Sequence, residues 1–312
     1  MASPGANSNI PLFYVNQYSS NIQLKLQQMG SVLRSCVMSG MHVGQQASPV
    51  DQFGAIVANK VTGRYNTMPR TDAPTDRRWV YPQDYDLNQL LDSFDKLRLL
   101  IDPMSSYVTN SMYALGRAMD LEILYGLINS NNTGNSGGTS VALPTTGGPT
   151  GVGQVVGVQT GATNSTNLTV AKLRAAKKIL MSNYAIDFSS QPEIYCAING
   201  INHDTLLSEV QVISSDFNSR SVLGENGLVQ QFMGITFVHT ELIQTGTDDQ
   251  GGVSTAVPMW VKSGAYLGIW GDIFTDVSQR KDLQGLPYQA YVKGTFGGTR
   301  LEEKKVVQIW AH

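Results

Sequence analysis

Charge is scarce in this 312-residue sequence: Asp, Glu, Lys and Arg together make up 15% of it, against roughly 25% in ordinary soluble domains. What charge there is nearly cancels, 22 Lys+Arg against 24 Asp+Glu, for a formal net charge of -2. A protein built to grip nucleic acid draws most of its affinity from Lys and Arg neutralising phosphates, so that class is disfavoured. Cysteine is scarcer still. Cys36 and Cys196 each sit in apolar sequence and exclude both a disulfide framework and a Cys-based zinc site; they read as core residues. The four histidines, His42, His203, His239 and His312, are far apart and form no HxH, HExxH or HxxxH pair, so no metal site is expected. No run approaches the ~18 consecutive apolar residues of a membrane span, and the opening MASPGANSN lacks a basic start followed by an apolar stretch. A soluble, unsecreted chain with no membrane partner is the expectation.

Catalytic signatures are missing too. There is no GxxxxGK[ST] and no GxSxG. The cluster GPTGVGQVVG, Gly148 to Gly157, has GxGxxxG spacing with no strand ahead of it and reads as linker. The carboxylate pairs Asp248-Asp249 and Glu302-Glu303 are adjacent, so in a strand or loop they point apart and read as solvated charges. His203 beside Asp204 reads as a capping or surface residue. The sequons at Asn131, Asn164 and Asn167 have no secretory signal to give them meaning. No enzyme, no cofactor and no metal are expected. A surface of Asn, Gln, Ser and Thr, low in charge, suits contacts with other protein.

The chain carries 31 Gly and 12 Pro, and its segments differ in kind. Residues 1–50 read as an arm with a short helix around 21–38. In 51–86 the stretches VTGRYNTM and RRWVY flank PRTDAPTD and predict a hairpin. It has few large apolar residues to bury within its own subunit, so an extended loop reaching a neighbour fits. Arg64, Arg70, Arg77 and Arg78 alternate there with Asp72 and Asp76; the bland reading is a solvated surface of mixed sign. Asp102-Pro103 gives a helix N-cap and first turn, and a helix is predicted to about Ile128. Met104, Val108, Met112, Leu115, Met119 and Ile123 fall at spacings of four and three and predict its buried stripe; methionines so spaced are core filler. Residues 129–167, rich in Gly, Thr and Asn, predict loop with short strands near VGQVVGVQT. A helix capped by Thr169 follows, then a strand EIYCAIN, a helix NHDTLLSEV, and GLVQQFMGITFVHTELI breaking at Gly234 into a strand. Strands dominate the last fifty residues. The class is α+β.

The order of these segments, with RRWVYPQDYD leading into DPMSSYVTNSMYALGRAMDLEILYGL, then GLVQQFMGITFVHTELI and the ending GGTRLEEKKVVQIWA, resembles the major capsid proteins of tailed bacteriophages with the Hong Kong 97-like fold. The resemblance spans nearly the whole chain and rests on order and spacing. It implies an N-terminal arm (1–50), an extended β-hairpin loop (51–86), a peripheral domain with a long spine helix and a flexible loop (87–167), a mixed α/β axial domain (168–262), and strands returning to the peripheral domain (263–312). It implies a shell subunit that assembles as pentamers and hexamers into an icosahedral virion around double-stranded DNA, put together in the host cytoplasm. Lys60, Arg64, Arg70, Asp72, Asp76, Arg77 and Arg78 become expected inter-subunit contacts. Some relatives join subunits covalently through a loop lysine; Lys60 is the only lysine in 51–86, and no motif marks a partner. Nothing like a helical scaffolding segment precedes residue 50, so a separate scaffolding protein is expected, along with a portal and a decoration protein. Alternatives are an encapsulin-like nanocompartment shell, an unrecognised α+β enzyme, and a tail or adhesin component.

Overall fold

The structure, a computed structural model, describes residues 27–45, 47, 51–60, 63, 67, 70–92, 104–145, 153–186, 193–209, 212, 223 and 227–312. It divides into two compact units, one of 1–31, 84–118 and 271–295, the other of 32–83, 119–270 and 296–312.

The larger unit is built on a sheet of order β7-β15-β12-β8-β10-β9, with β11 (Thr245–Thr247) paired to β12. Its strands are β7 (Val155–Val156), β8 (Ile194–Ile198), β9 (Gln231–Phe232), β10 (Ile235–His239), β12 (Val253–Val261) and β15 (Val306–Ala311). Alternate side chains point to opposite faces. One face carries Ile194, Cys196, Ile198, Val257, Met259, Val261, Val307 and Ile309, packed with Leu173, Ala176 and Leu180 of one helix and Leu206 of another. The first of these helices, Val170–Ser182, starts where the Thr169 hydroxyl accepts the Lys172 amide, and its apolar residues recur at helical spacing. The second, Gly200–Ser208, starts at Asn199, whose side chain accepts the Asn202 amide; it is the crossover between the parallel strands β8 and β10. On the other face Trp260 is buried, stacked with Tyr195, and its indole N–H donates to the Cys36 carbonyl at 3.0 Å. Each fully buried large apolar side chain stabilises by about 1.5–3 kcal/mol.

A long helix, α1 (Met104–Ile128), contributes 104–118 to the smaller unit and 119–128 to the larger; the two helices on the larger unit's sheet are then α2 (Val170–Ser182) and α3 (Gly200–Ser208). Strands β13 (Ala265–Gln279) and β14 (Tyr288–Arg300) run through both units as well. They belong to a sheet of order β1-β13-β14-β4, where β1 is Met38–Met41 and β4 is Gln83–Leu91. β1 lies parallel to the start of β13, Met38 opposite Tyr266. In the smaller unit Leu91 and Ala290 are buried against Tyr107, Val108 and Tyr288, and Arg117 donates to the Gln27 side chain and the Gln28 carbonyl. In the larger unit the C-terminal end of α1 is held by Arg300, which donates to the carbonyls of Leu127 and Asn129. A cation there meets the negative end of the helix dipole. Gly126 lies against the backbone of Gly298 and Thr299, an approach that leaves no room for a side chain.

Several expectations are corrected. No helix occupies 27–38: a 3-10 turn (Arg34–Cys36) leads into β1, because the amides of Val32 and Leu33 bond the Asp120 carboxylate at 3.0 and 3.1 Å and are lost to any helical ladder. The partner of β3 (Thr75–Trp79) is β2 (Asp51–Phe53), with Asp51 opposite Arg77; most of VTGRYNTM lies outside the described residues, as does Asp102-Pro103. Residues 129–145 are a hairpin, β5 (Asn131–Thr133) with β6 (Thr139–Val141), turned by Gly134 and Gly137 at φ 87 and 74 and completing a sheet β2-β3-β5-β6. Near the end of the glycine cluster lies strand β7 (Val155–Val156), in agreement with the short strand expected in VGQVVGVQT and not with the reading of the whole cluster as linker. Met112 is 41% exposed, so the buried stripe of α1 is carried by Leu115, Met119 and Ile123, with Val108 partly buried. The side chain of Met104 lies outside the described residues.

Candidate assembly surfaces

The root of the extended loop is organised by the alternation of β3. Arg77 and Trp79 share one side of the strand, where the Arg77 guanidinium sits 5.8 Å from the Trp79 ring centre and binds Asp51 through Nε at 2.5 Å and Nη2 at 3.0 Å. The Trp79 indole donates to the Gly134 carbonyl. Arg78 points the opposite way. It is only 4% exposed, and its Nη2 donates to Glu303 Oε2 at 2.5 Å. Arg300, fully buried, approaches the same carboxylate at 3.8 Å. Burial pulls the Arg300 guanidinium down to about 10, with Arg78 adding to the effect and Glu303 opposing it; it remains charged at neutral pH. Burial pushes the Asp76 carboxyl up, but its bonds from the Thr133 hydroxyl and the Arg77 amide, and the Arg78 charge, outweigh that and hold it below its ordinary value.

The expected contact residues therefore divide. Arg77 and Arg78 are engaged within their own chain, and the burial of Arg78 removes it from the surface. Glu303, read as a solvated charge, is the counterion of that buried arginine. Asp248, also read as solvated, is buried and accepts the Ser254 hydroxyl and the amides of Gln250 and Gly252. Arg70 and Asp72 pair at 2.9 Å in full exposure, worth about 0–1 kcal/mol. Lys60 is exposed. Arg64 lies outside the described residues. What sequence reasoning missed is apolar: Phe53, Ile56 and Val57 are 78%, 62% and 80% exposed, a run whose signal was FGAIV inside an otherwise polar loop. β1, at the edge of its sheet, likewise exposes Met38 and Met41.

Other candidates resolve as structure. His203 is not the cap of its helix, which starts at Asn199: its Nε2 accepts the Val229 amide at 3.2 Å, and the His239 ring lies 5.0 Å away, edge to face. Burial, then His239, lowers the His203 pKa, and Asp204 opposes the shift. Cys36 and Cys196 are buried and free, and burial raises both thiols. Among the described residues no group of three or more His, Cys, Asp and Glu could hold a metal, and no helix is long and apolar enough to cross a membrane.

The exposed apolar run thus belongs to a segment whose arginines Arg77 and Arg78 are ion-paired within the chain. Residues 10–311 match the phage capsid protein family. The chain belongs to that family. Solved structures agree on the fold of this capsid protein, which is Hong Kong 97-like. The cyanophage Pam1 capsid superposes with a TM-score of 0.70 at 11% identity, covering 100% of this chain and 99% of that one. The capsid of cyanophage P-SCSP1u gives 0.69 at 13%, covering 96% and 93%. The capsid of a native GTA particle gives 0.65 at 11%, covering 99% of this chain and 99% of that one. No curated protein matches the sequence.

Proposed function

We propose that this capsid protein closes, as pentamers and hexamers, into the icosahedral shell of a tailed phage around double-stranded DNA, assembling in the host cytoplasm without catalysing any reaction. The carrying observation is the loop: Phe53, Ile56 and Val57 stand in solvent while Arg77 and Arg78 at its root are ion-paired within the chain with Asp51 and Glu303. Such a surface gains by being covered, and another subunit is the partner always present. The arm, loop, peripheral and axial divisions at 1–50, 51–86, 87–167, 168–262 and 263–312 belong to this reading, as do a separate scaffolding protein, a portal and a decoration protein as partners. The exposed Arg70-Asp72 pair and Lys60 are then secondary, rim contacts to the apolar anchor.

The test is electron microscopy of the purified chain beside a Phe53→Ser/Ile56→Ser/Val57→Ser variant. The parent is expected to form closed shells. The variant is expected to keep the parent's unfolding midpoint and remain as unassembled subunits; shells of normal yield and durability from it would remove the loop from the reading. Parent material that never closes would sink the shell itself.

A further inference from the structure

The outer face of α2 carries Arg174, Lys177 and Lys178 and no acidic residue from Val170 to Ser182. Arg174 and Lys178 are exposed and, among the described residues, enter no ion pair; Lys177 donates to the Met233 carbonyl at 2.6 Å. These side chains border an open trough of about 680 Å³ walled mainly by apolar groups, with Ala171, Ala175, Met181 and Met233 along it. A polyphosphate would satisfy the two cations and leave that apolar floor uncovered. The fitting occupant is a protein ridge with an apolar knob and acidic flanks.

The same chain displays one. On α3, Ile201, Asp204, Thr205 and Ser208 fall at i, i+3, i+4 and i+7 and so share a face. Ile201 is 63% exposed, and Asp204 and Ser208 are exposed with it. Glu241, also exposed, stands at the start of this helix and accepts the Gly200 amide at 2.8 Å. Trough and ridge lie on the same face of the axial sheet, so one subunit can offer both at once. Two different, complementary patches on one chain are what a head-to-tail ring requires, whereas a two-fold dimer pairs a patch with itself.

We propose that the α3 ridge of each subunit docks in the basic trough of α2 on the next subunit around a ring, Ile201 entering the apolar floor and Asp204 and Glu241 facing Arg174 and Lys178. This rests on the shell-forming reading above and assigns the contact that closes its rings.

Charge reversal with reciprocal rescue tests it in the full chain, scored by shell yield on gradients and by electron microscopy. Arg174→Glu/Lys178→Glu is expected to cut shell yield by about tenfold or more, because like charges then face each other. Asp204→Lys/Ser208→Lys should do the same while sparing Glu241. The chain carrying all four substitutions should recover part of the parent's yield, short of full recovery because Glu241 still faces the reversed charges. Ile201→Ser, which touches no charge, should also reduce yield, with an unchanged unfolding midpoint showing that the subunit is intact. Normal assembly by the reversed chains and by Ile201→Ser overturns the proposal, and so does a fourfold variant that folds but shows no recovery. Reversed chains that assemble normally but lose DNA retention overturn it in favour of a nucleic-acid surface. A parent chain that forms no shells removes the underlying reading and this contact together.

Discussion

Replacing Glu303 by Gln changes almost nothing in shape and removes one negative charge from between two buried arginines. In the native chain Glu303 Oε2 accepts from Arg78 at 2.5 Å, and Arg300 stands 3.8 Å from Oε1. Among the described residues Arg78 Nε and Nη1 and Arg300 Nε have no hydrogen-bond partner, and both side chains are almost fully buried. Arg300 keeps its bonds to the carbonyls of Leu127, Asn129 and Val141. Among the described residues Arg78 keeps only Asp76, 3.9 Å away and half-exposed. Breaking a buried pair by removing one partner costs about 3–5 kcal/mol, because the other charge is left uncompensated; the partial help from Asp76 puts Glu303→Gln near the lower end, about 3 kcal/mol. Replacing both partners, Arg78→Met/Glu303→Met, should cost much less, since the charge leaves with its counterion. Urea unfolding of the unassembled subunit, followed by circular dichroism, measures both. A loss below about 1 kcal/mol for Glu303→Gln, the range of an exposed pair, would refute the picture of a dry cluster. So would a double variant worse than the single one.

Gly126→Ala should destabilise despite the better helix former. The new Cβ would meet Gly298 C at 2.6 Å and Thr299 N at 2.7 Å, all backbone, and overpacking of about 1–3 kcal/mol outweighs the gain of about 1 kcal/mol in helix propensity; a higher unfolding midpoint would contradict this. Lys172, fully buried, donates to the carbonyls of Thr166 and Trp310, and burial lowers its pKa from 10.5 to about 8 despite Asp249 and Asp248. Between about 8 and 10.5 the unfolded chain holds the proton that the folded chain has lost, so stability rises with pH across that window; relative to Lys172→Met, the parent should gain stability from pH 7 to 10, and a flat difference would refute the assignment.

Periodicity made the helices legible. α1, α2 with its Thr169 cap and α3 stand where spacing placed them, and the near-continuous apolar runs in EIYCAIN and VVQIWA suit strands that are buried on both faces. What stayed hidden depends on contacts distant along the chain. Met112 fits the α1 stripe by spacing, and only the packing around the rod decides that it faces out. Glu303 looked like a surface charge because nothing local says that β3, 225 residues away, delivers Arg78 to it. Strand β2 was missed because three residues, Asp51–Phe53, carry too little alternation to stand out, and its pairing is fixed by the Arg77 side chain across the ladder. The loop arginines drew attention by charge, and two of them, Arg77 and Arg78, are paired within their own subunit, while Phe53, Ile56 and Val57 are the exposed apolar side chains of the same segment.

On the shell reading proposed above, that division of labour bears on how such a subunit assembles. Full burial of Phe53, Ile56 and Val57 would contribute about 1.5–3 kcal/mol each, roughly 5–9 kcal/mol for the loop. Association of two subunits costs about 4–15 kcal/mol in lost freedom before any contact is counted. One loop contact therefore leaves little or no surplus, and an isolated pair of subunits held by it alone is weak. In a closed ring or shell each subunit both covers a neighbour and is covered, so further contacts form without a fresh loss of freedom for every one. Weak contacts that succeed only together also allow misplaced subunits to leave. On the proposed reading a salt-bridged loop would serve less well, since its strength would track ionic strength, whereas Arg77 and Arg78 are paired within the chain at the loop's root and would leave the contact to the apolar run.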